Sequence, residues 1–195
     1  QKNQQANGIK NAVITRKEAL LNDVTSPFTG LKTAKVNVIE FFDYQCVYCS
    51  KVLPAIEKMQ KEFPNVKFIY KETPIFSKRW EASKYAAQIG LDVFAQRGSK
   101  AYADYHNGIY ATGLNEGKLT TTVIEKKAIL AGLDISKFKA TDVYVKNLQL
   151  FSQLGFRGTP AFIIMPTDNV TLDNIFIVNG ADENSVREAI KTLSK

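Results

Sequence analysis

Both cysteines of the chain fall in one tetrad, Cys46-Val47-Tyr48-Cys49. Two sulfurs at this spacing can pack as free thiols, contribute to a metal site, or form and break a disulfide with each other. A structural zinc site needs four ligands, usually from a second Cys or Cys/His pair, and His106 is the one histidine available. A scaffold disulfide stabilises a protein by closing a long loop, which adjacent turns of chain do not offer. Reversible exchange between thiol and disulfide is the chemistry that this pair fits. Its nucleophile is the thiolate, and a free cysteine with a pKa of about 8.5 is only a few per cent ionised at neutral pH. The surroundings must therefore stabilise the anion.

The elements around the pair supply a means. Val36-Asn37-Val38-Ile39-Glu40-Phe41-Phe42 is β-branched and aromatic and reads as a buried strand. After a polar turn, Val52, Ile56, Met59 and Phe63 form one apolar stripe, which predicts a helix from about Cys46 to Phe63. Pro54 inside it lacks an N–H and should kink it. Pro64-Asn65 ends the helix, and Val66-Lys67-Phe68-Ile69-Tyr70 alternates as a second strand. Strand, helix and strand of these lengths make a βαβ unit with a parallel pair. Cys46 then stands at a helix N-terminus, where unpaired N–H groups and the macrodipole favour an anion. Cys49 lies one turn further in. The expected roles are an exposed Cys46 that attacks or is attacked and a more buried Cys49 that resolves.

From about Ser77 to Leu154 the pattern is helical, with Ile124, Ala128 and Ala131 on one face and Tyr144, Leu148, Phe151 and Leu154 on another. Gly90, Gly98, Gly108, Gly113, Gly117 and Gly132 are read as dividing this stretch into several short helices. Strand character returns at Ala161–Met165 and Asn174–Val178, and Val186, Ile190 and Leu193 mark a closing helix. The order is βαβ, a helical insertion, then ββα. Residues 1–22 read as a loose arm with a short packing helix, or as part of an oligomerisation segment.

Two further positions carry chemical meaning. Gly158-Thr159-Pro160 leads into the Ala161 strand. A trans Pro160 is an ordinary first residue of a strand; a cis Thr159–Pro160 bond would let Thr159 offer its N–H and C=O to an extended peptide. Glu40 stands amid Val38, Ile39, Phe41 and Phe42, where an acid is costly to bury and is the more notable for it. The plainer alternative is a strand glutamate that faces solvent or pairs with a lysine. Trp80 is expected in the core, and His106 is expected at the surface or as a satisfied helix residue. Phe42, Tyr44 and Tyr48 are candidates for an apolar peptide-docking rim.

The 195 residues are 45% apolar and 23% charged, the balance of an ordinary globular chain. No apolar run reaches the roughly 18–20 residues of a membrane-spanning helix. The chain starts at Gln1 with no initiator methionine and no charged-then-apolar leader, the pattern expected of a processed or trimmed form. Lys and Arg exceed Asp and Glu by 26 to 19, giving +7, but the basic residues are dispersed. Such a distribution does not predict a nucleic-acid partner.

The segment from Val38 to Cys49, with Gly158-Thr159-Pro160-Ala161-Phe162 downstream, resembles the DsbA-type disulfide oxidoreductases of the thioredoxin superfamily, in particular their DsbA/Com1-like branch. The resemblance implies an α/β thioredoxin fold over residues 23–76 and 155–195, interrupted by a helical domain at 77–154. It implies a periplasmic or surface-associated enzyme that oxidises or reshuffles disulfides in reduced or misfolded exported proteins. It further implies a membrane redox partner of DsbB or DsbD type and no prosthetic group. Cys46, Cys49, Pro160 and Glu40 would be catalytic, with Pro160 cis and Glu40 matching the family's buried glutamate beneath the resolving cysteine. Thr159, Val47 and Tyr48 would meet the substrate. Val47-Tyr48 departs from the Pro-His of the family's strongest oxidases, and Thr159 is a residue type also found before the cis-proline in isomerase branches. Isomerisation usually needs two active sites facing one substrate, so a homodimer through the N-terminal segment enters the expectation. The rivals are a glutathione-dependent transferase, against which Cys49 argues, a non-enzymatic chaperone on the same fold, and a copper-handling protein using the two sulfurs.

Overall fold

The computed structural model describes residues 2–195; Gln1, the first residue of the expected arm, lies outside them. Strands β1 (Phe28–Gly30), β2 (Val36–Phe42), β3 (Val66–Glu72), β4 (Ala161–Pro166) and β5 (Phe176–Asn179) form one sheet. Their order is β1-β3-β2-β4-β5. The helices are α1 (Lys2–Thr15), α2 (Lys17–Leu21), α3 (Val47–Glu62), α4 (Glu81–Tyr110), α5 (Thr121–Leu130), α6 (Val143–Gln153) and α7 (Glu183–Leu193). Strands β2 and β3 pair in parallel from Val36↔Val66 to Phe42↔Glu72, as the helix between them requires. β4 joins β2 antiparallel, and β5 and β1 close the two edges antiparallel. This is the thioredoxin fold with inserted helices that the resemblance implied.

Every residue of β2 is buried, because helices cover both faces of the sheet. Alternation along the strand sorts the side chains. Ile39 and Phe41 face a core shared with Val13, Leu20 and Leu21 of the N-terminal helices and Leu150, Phe151 and Leu154 at α6. Val36 and Val38 face Val52, Ile56 and Met59 of α3 and Val186, Ala189 and Ile190 of α7. Glu40 has the parity of Val38 and therefore looks toward the α3 side.

Of the expected loose arm and short packing helix, the packing helix is present, and the stretch read as loose is helical with residues 4–8 exposed. The chain is helical from Lys2 to Thr15 and again from Lys17 to Leu21, with Val13 and Leu20 fully buried. Its continuation is tied down by Lys71, a buried β3 lysine that donates to the Ala19 carbonyl and the Ser26 hydroxyl, each at 2.7 Å. Asp23 lies 3.6 Å from the same ammonium. Burial lowers the Lys71 pKa to about 8, against the pull of Asp23.

The insertion is less fragmented than its glycines suggested. Gly90 and Gly108 sit inside α4, and only Gly98, with φ +81°, breaks its helical path. Its last helix, α6, packs on the sheet through Leu150 and Phe151 and so belongs to the sheet's core as much as to the insertion. Strand β1 gave no sequence signal, since three residues ending in glycine are too short to show alternation. The helix α3 runs from Val47 through Pro54 to Glu62 as one element.

Gly90 answers a packing demand. A Cβ there would lie 2.7 Å from the Glu72 Oε1 and 3.0 Å from the Tyr105 ring. The Glu72 Oε1 cannot move aside freely, because the Tyr44 and Tyr102 hydroxyls donate to it at 2.7 and 2.8 Å. In an open helix Gly→Ala gains about 1 kcal/mol, but overpacking a buried site costs about 1–3 kcal/mol. Gly90→Ala is therefore expected to lower stability by about 1–2 kcal/mol, read as a reduced urea midpoint at unchanged slope; a raised midpoint would contradict this packing.

Candidate active site

The site is assembled where β2 ends. Asp43 begins a turn: its carbonyl accepts from the Cys46 N–H at 3.0 Å, and its Oδ1 accepts from the Gln45 N–H at 2.8 Å. Its Oδ2 accepts from the Phe76 N–H at 3.0 Å and the Ser83 hydroxyl at 2.5 Å, which fastens the turn to the start of the insertion. The Tyr110 hydroxyl adds a bond to the Asp43 carbonyl at 3.0 Å. The turn delivers Cys46 to the N-cap of α3, where its sulfur accepts from the Cys49 N–H at 3.4 Å. A sulfur thus takes the place that a serine or aspartate oxygen usually holds.

The bond Thr159–Pro160 is cis, and the Thr159 carbonyl lies 3.2 Å from the Cys46 sulfur. Pro160 is buried and Thr159 half-buried, with a Thr159 hydroxyl that finds no hydrogen-bond partner among the described residues. Two segments 113 positions apart in sequence thereby meet at one atom. Both cysteines are free thiols. Cys46 was expected to be exposed, yet only 3% of its surface is accessible against 1% for Cys49. The turn, the Thr159 carbonyl and the insertion close around it, so the two sulfurs differ in electrostatics more than in exposure.

That difference is large. A hydrogen bond from the Cys49 thiol pulls the Cys46 pKa down to about 6, with burial opposing and the Thr159 side chain and then the Cys49 and Tyr48 main-chain N–H groups contributing. Burial drives the Cys49 thiol well above its ordinary value, and the neighbouring Cys46 and Glu40 add to the rise. Glu40, 7% exposed, is pushed up to about 8 by burial first and the Cys46 charge second. At neutral pH it therefore holds a proton. A carboxyl raised in the folded state supports the fold fully below its ordinary value of 4.5, and that support is lost as pH rises through about 8.

The remaining expectations divide. Val47 is half-buried and Tyr48 is 58% exposed with Lys51 over its ring. Phe42 and Tyr44 are fully buried, so they cannot form a docking rim. Their rings pack instead on each other and on His106. His106 is neither at the surface nor satisfied: it is 1% exposed, its Nδ1 meets Asn107 at 2.8 Å, and its Nε2 has no partner among the described residues. Burial lowers its pKa to about 4, so the ring is neutral. Trp80 is half-buried at the N-cap of α4, stacked on Phe76 and Arg79 rather than in the core.

Sequence reasoning missed Asp43, Gln45, Tyr110 and Glu116. Asp43 carried a signal, since an aspartate followed by a turn commonly accepts from the main chain two residues on. The others carried none. A concavity of about 880 Å³ lined by Asp92, Arg97 and Lys137 lies on the insertion and shares no residue with the site.

Comparison with known proteins places these features in a family. The model of the DSBA-like thioredoxin domain matches residues 37–191, and the chain belongs to that family, with the fold of the DsbA-like thiol-disulfide oxidoreductases. The crystal structure of BcfH from Salmonella enterica Typhimurium is similar over 100% of this chain and 84% of that one, at 32% identity and a TM-score of 0.89. The catalytic domain of Proteus mirabilis ScsC is 31% identical over 95% of this chain and 99% of that one, with a TM-score of 0.76. The thiol-disulfide exchange protein alpha-DsbA2 from Wolbachia pipientis shares the fold, at 24% identity, a TM-score of 0.81 and 97% and 98% coverage. The chain spans about a fifth of the length of the curated relatives it matches, among them a Salinispora arenicola Na(+)/H(+) antiporter 24% identical over 69% of this chain and 21% of its own length.

Thiolate absorbance near 240 nm in the reduced protein is expected to rise in one step centred near pH 6, with Cys49 silent over the same range. Cys49→Ala removes the strongest stabilising bond and should move the midpoint upward. A wild-type midpoint at the ordinary 9.0 would contradict the described site.

Proposed function

We propose that the chain is a protein thiol:disulfide oxidoreductase that exchanges disulfides with exported polypeptides through Cys46 and Cys49. The observation that carries this reading is the Cys46 sulfur at the head of α3, 3.2 Å from the carbonyl beside a cis-proline, with Cys49 buried next to it. Oxidation starts when a substrate thiolate attacks Cys46 in the Cys46–Cys49 disulfide. The sulfur–sulfur bond breaks, a mixed disulfide forms, and Cys49 leaves as a thiolate. Its high proton affinity would be met by protonated Glu40, which acts as the general acid. The substrate's second thiolate then attacks its own sulfur in the mixed disulfide, and Cys46 departs as a stabilised thiolate. Two electrons pass from the substrate to the enzyme.

Thr159, with a main-chain edge next to Cys46 and an unpartnered hydroxyl, is the residue we assign to holding an extended substrate backbone by β-type hydrogen bonds. Val47 and Tyr48 flank the same sulfur and would contact substrate side chains. A polypeptide main chain needs an edge rather than a deep cavity, which accords with the lack of overlap between the site and the large concavity.

A periplasmic setting, reoxidation by a membrane partner of DsbB type or reduction by one of DsbD type, and an isomerase activity beside the oxidase belong to the same proposal. They rest on family resemblance. Isomerisation would start from the reduced form, Cys46 attacking first, and would be favoured by a homodimer formed through the N-terminal segment, whose residues 4–8 are exposed. Light scattering of the protein in the assay buffer decides that association.

The test is refolding of reduced and of scrambled multi-disulfide substrates by oxidised and reduced protein. Oxidised protein should restore activity to the reduced substrate, and Cys46→Ser should abolish this. Without a histidine between the cysteines, the pair should be less oxidising against glutathione than Pro-His members. Failure to form a reversible Cys46–Cys49 disulfide would overturn the assignment; stoichiometric copper retention or holding of unfolded protein by Cys46→Ser would redirect it to the rivals. Glu40→Gln should slow disulfide exchange about 10²-fold or more while leaving the Cys46 midpoint unchanged, because Glu40 still holds its proton near pH 6 and the amide replaces a neutral carboxyl.

A further inference from the structure

The N-terminal donors of α3 are divided between two acceptors. Cys46 takes the N–H of Cys49. The N–H of Val47, the first residue of the helix, is taken at 3.3 Å by Oε1 of Glu116, 69 positions away in the insertion. Glu116 does not arrive there by chance of a flexible side chain. Its own N–H donates to the Gln45 carbonyl at 3.0 Å, and the next N–H, of Gly117, donates to the Gln45 Oε1 at 2.9 Å. Gln45 is fully buried and directly precedes Cys46. The loop holds a left-handed shape at both positions, Glu116 at φ +53° and Gly117 at φ +90°. A Cβ on Gly117 would lie 2.6 Å from the Trp80 Nε1, so Trp80 supports the loop from behind.

We propose that Glu116 is a positioning residue that tunes the redox pair: its carboxylate competes with the Cys46 thiolate for the head of α3 and keeps the disulfide less oxidising than the two cysteines alone would make it. The reasoning is electrostatic. A helix N-terminus favours one anion within its first turn, and here two negative groups share it. Glu116 takes up one donor and brings its negative charge to the main-chain N–H of the residue that follows Cys46. A less stable thiolate means a less favoured reduced form, and hence a disulfide that gives up its oxidising equivalents less readily. Because Glu116 is exposed, solvent and salt moderate the effect.

This inference rests on the redox reading above, and its test separates the two. The wild type, Glu116→Gln and Glu116→Ala are equilibrated with glutathione, in which two glutathione thiols reduce the Cys46–Cys49 bond and one glutathione disulfide forms. Glu116→Gln keeps an oxygen for the Val47 N–H and loses the charge. It should shift the equilibrium about two- to fivefold toward reduced protein and lower the pH midpoint of the 240 nm thiolate step. The gap from wild type should narrow when salt rises from about 0.1 M to about 1 M, as the screening length falls from about 10 Å to about 3 Å. A purely structural role would move neither the thiolate midpoint nor its salt dependence. Unchanged midpoint and equilibrium constant in Glu116→Gln overturn the proposal while leaving the redox function standing. A wild type that forms no reversible disulfide defeats the functional reading itself.

Discussion

The arrangement of this protein follows from the unpaired N–H groups at the head of α3. A helix leaves four donors open at its start, and most helices satisfy them with a side-chain oxygen or with water. Here the acceptors are the sulfur of Cys46 and the carboxylate of Glu116. Everything that gives the sulfur its character follows from keeping it at that spot: a parallel β2–β3 pair that fixes the helix axis, an Asp43 turn that fixes the approach, and a cis Thr159–Pro160 that closes the other side. Cys49, one turn along, falls into the apolar interior and acquires the opposite electrostatic character, chiefly by burial and further through Cys46 and Glu40.

Beneath the pair lies a layer of titratable groups that share one problem, the loss of water. Glu40, Glu72, His106, Tyr102 and Tyr110 are all held toward their neutral forms by burial. Glu72 solves its problem with two tyrosine hydroxyls and the space left by Gly90. His106 solves it with aromatic faces on several sides and one ring nitrogen left unpaired. Such a layer is expensive to keep unless its members are packed closely, and the insertion supplies that packing through α4. The helical insertion is thus part of the wall of the redox site as well as a cover over it.

The cysteine tetrad, the βαβ unit around it and the Thr159-Pro160 pair were legible in sequence because each has a local signature: spacing, period and a proline before a strand. The inward-looking Glu40 was legible through its apolar neighbours. What escaped was set by contacts between distant segments. The covering of Cys46 comes from chain more than a hundred positions away, and no periodicity announces it. Gly90 looked like a helix breaker and is instead a space for Glu72 inside a helix. Phe42 and Tyr44 adjoin the cysteines in sequence but turn inward with the strand and the turn. His106 looked inert for want of a nearby motif, and its burial is decided wholly by the rings packed around it.

The clasp at Lys71 sets a limit on how short a working version of this protein can be. Its ammonium lies inside the sheet layer and, among the described residues, is answered only by Ala19, Ser26 and Asp23, all upstream of the first strand. A truncation starting at β1 would strand that cation in an apolar interior, a loss that a redox core cannot absorb cheaply. Any minimal version must therefore retain α2 and the residues that follow it, or exchange Lys71 for an apolar side chain of similar length.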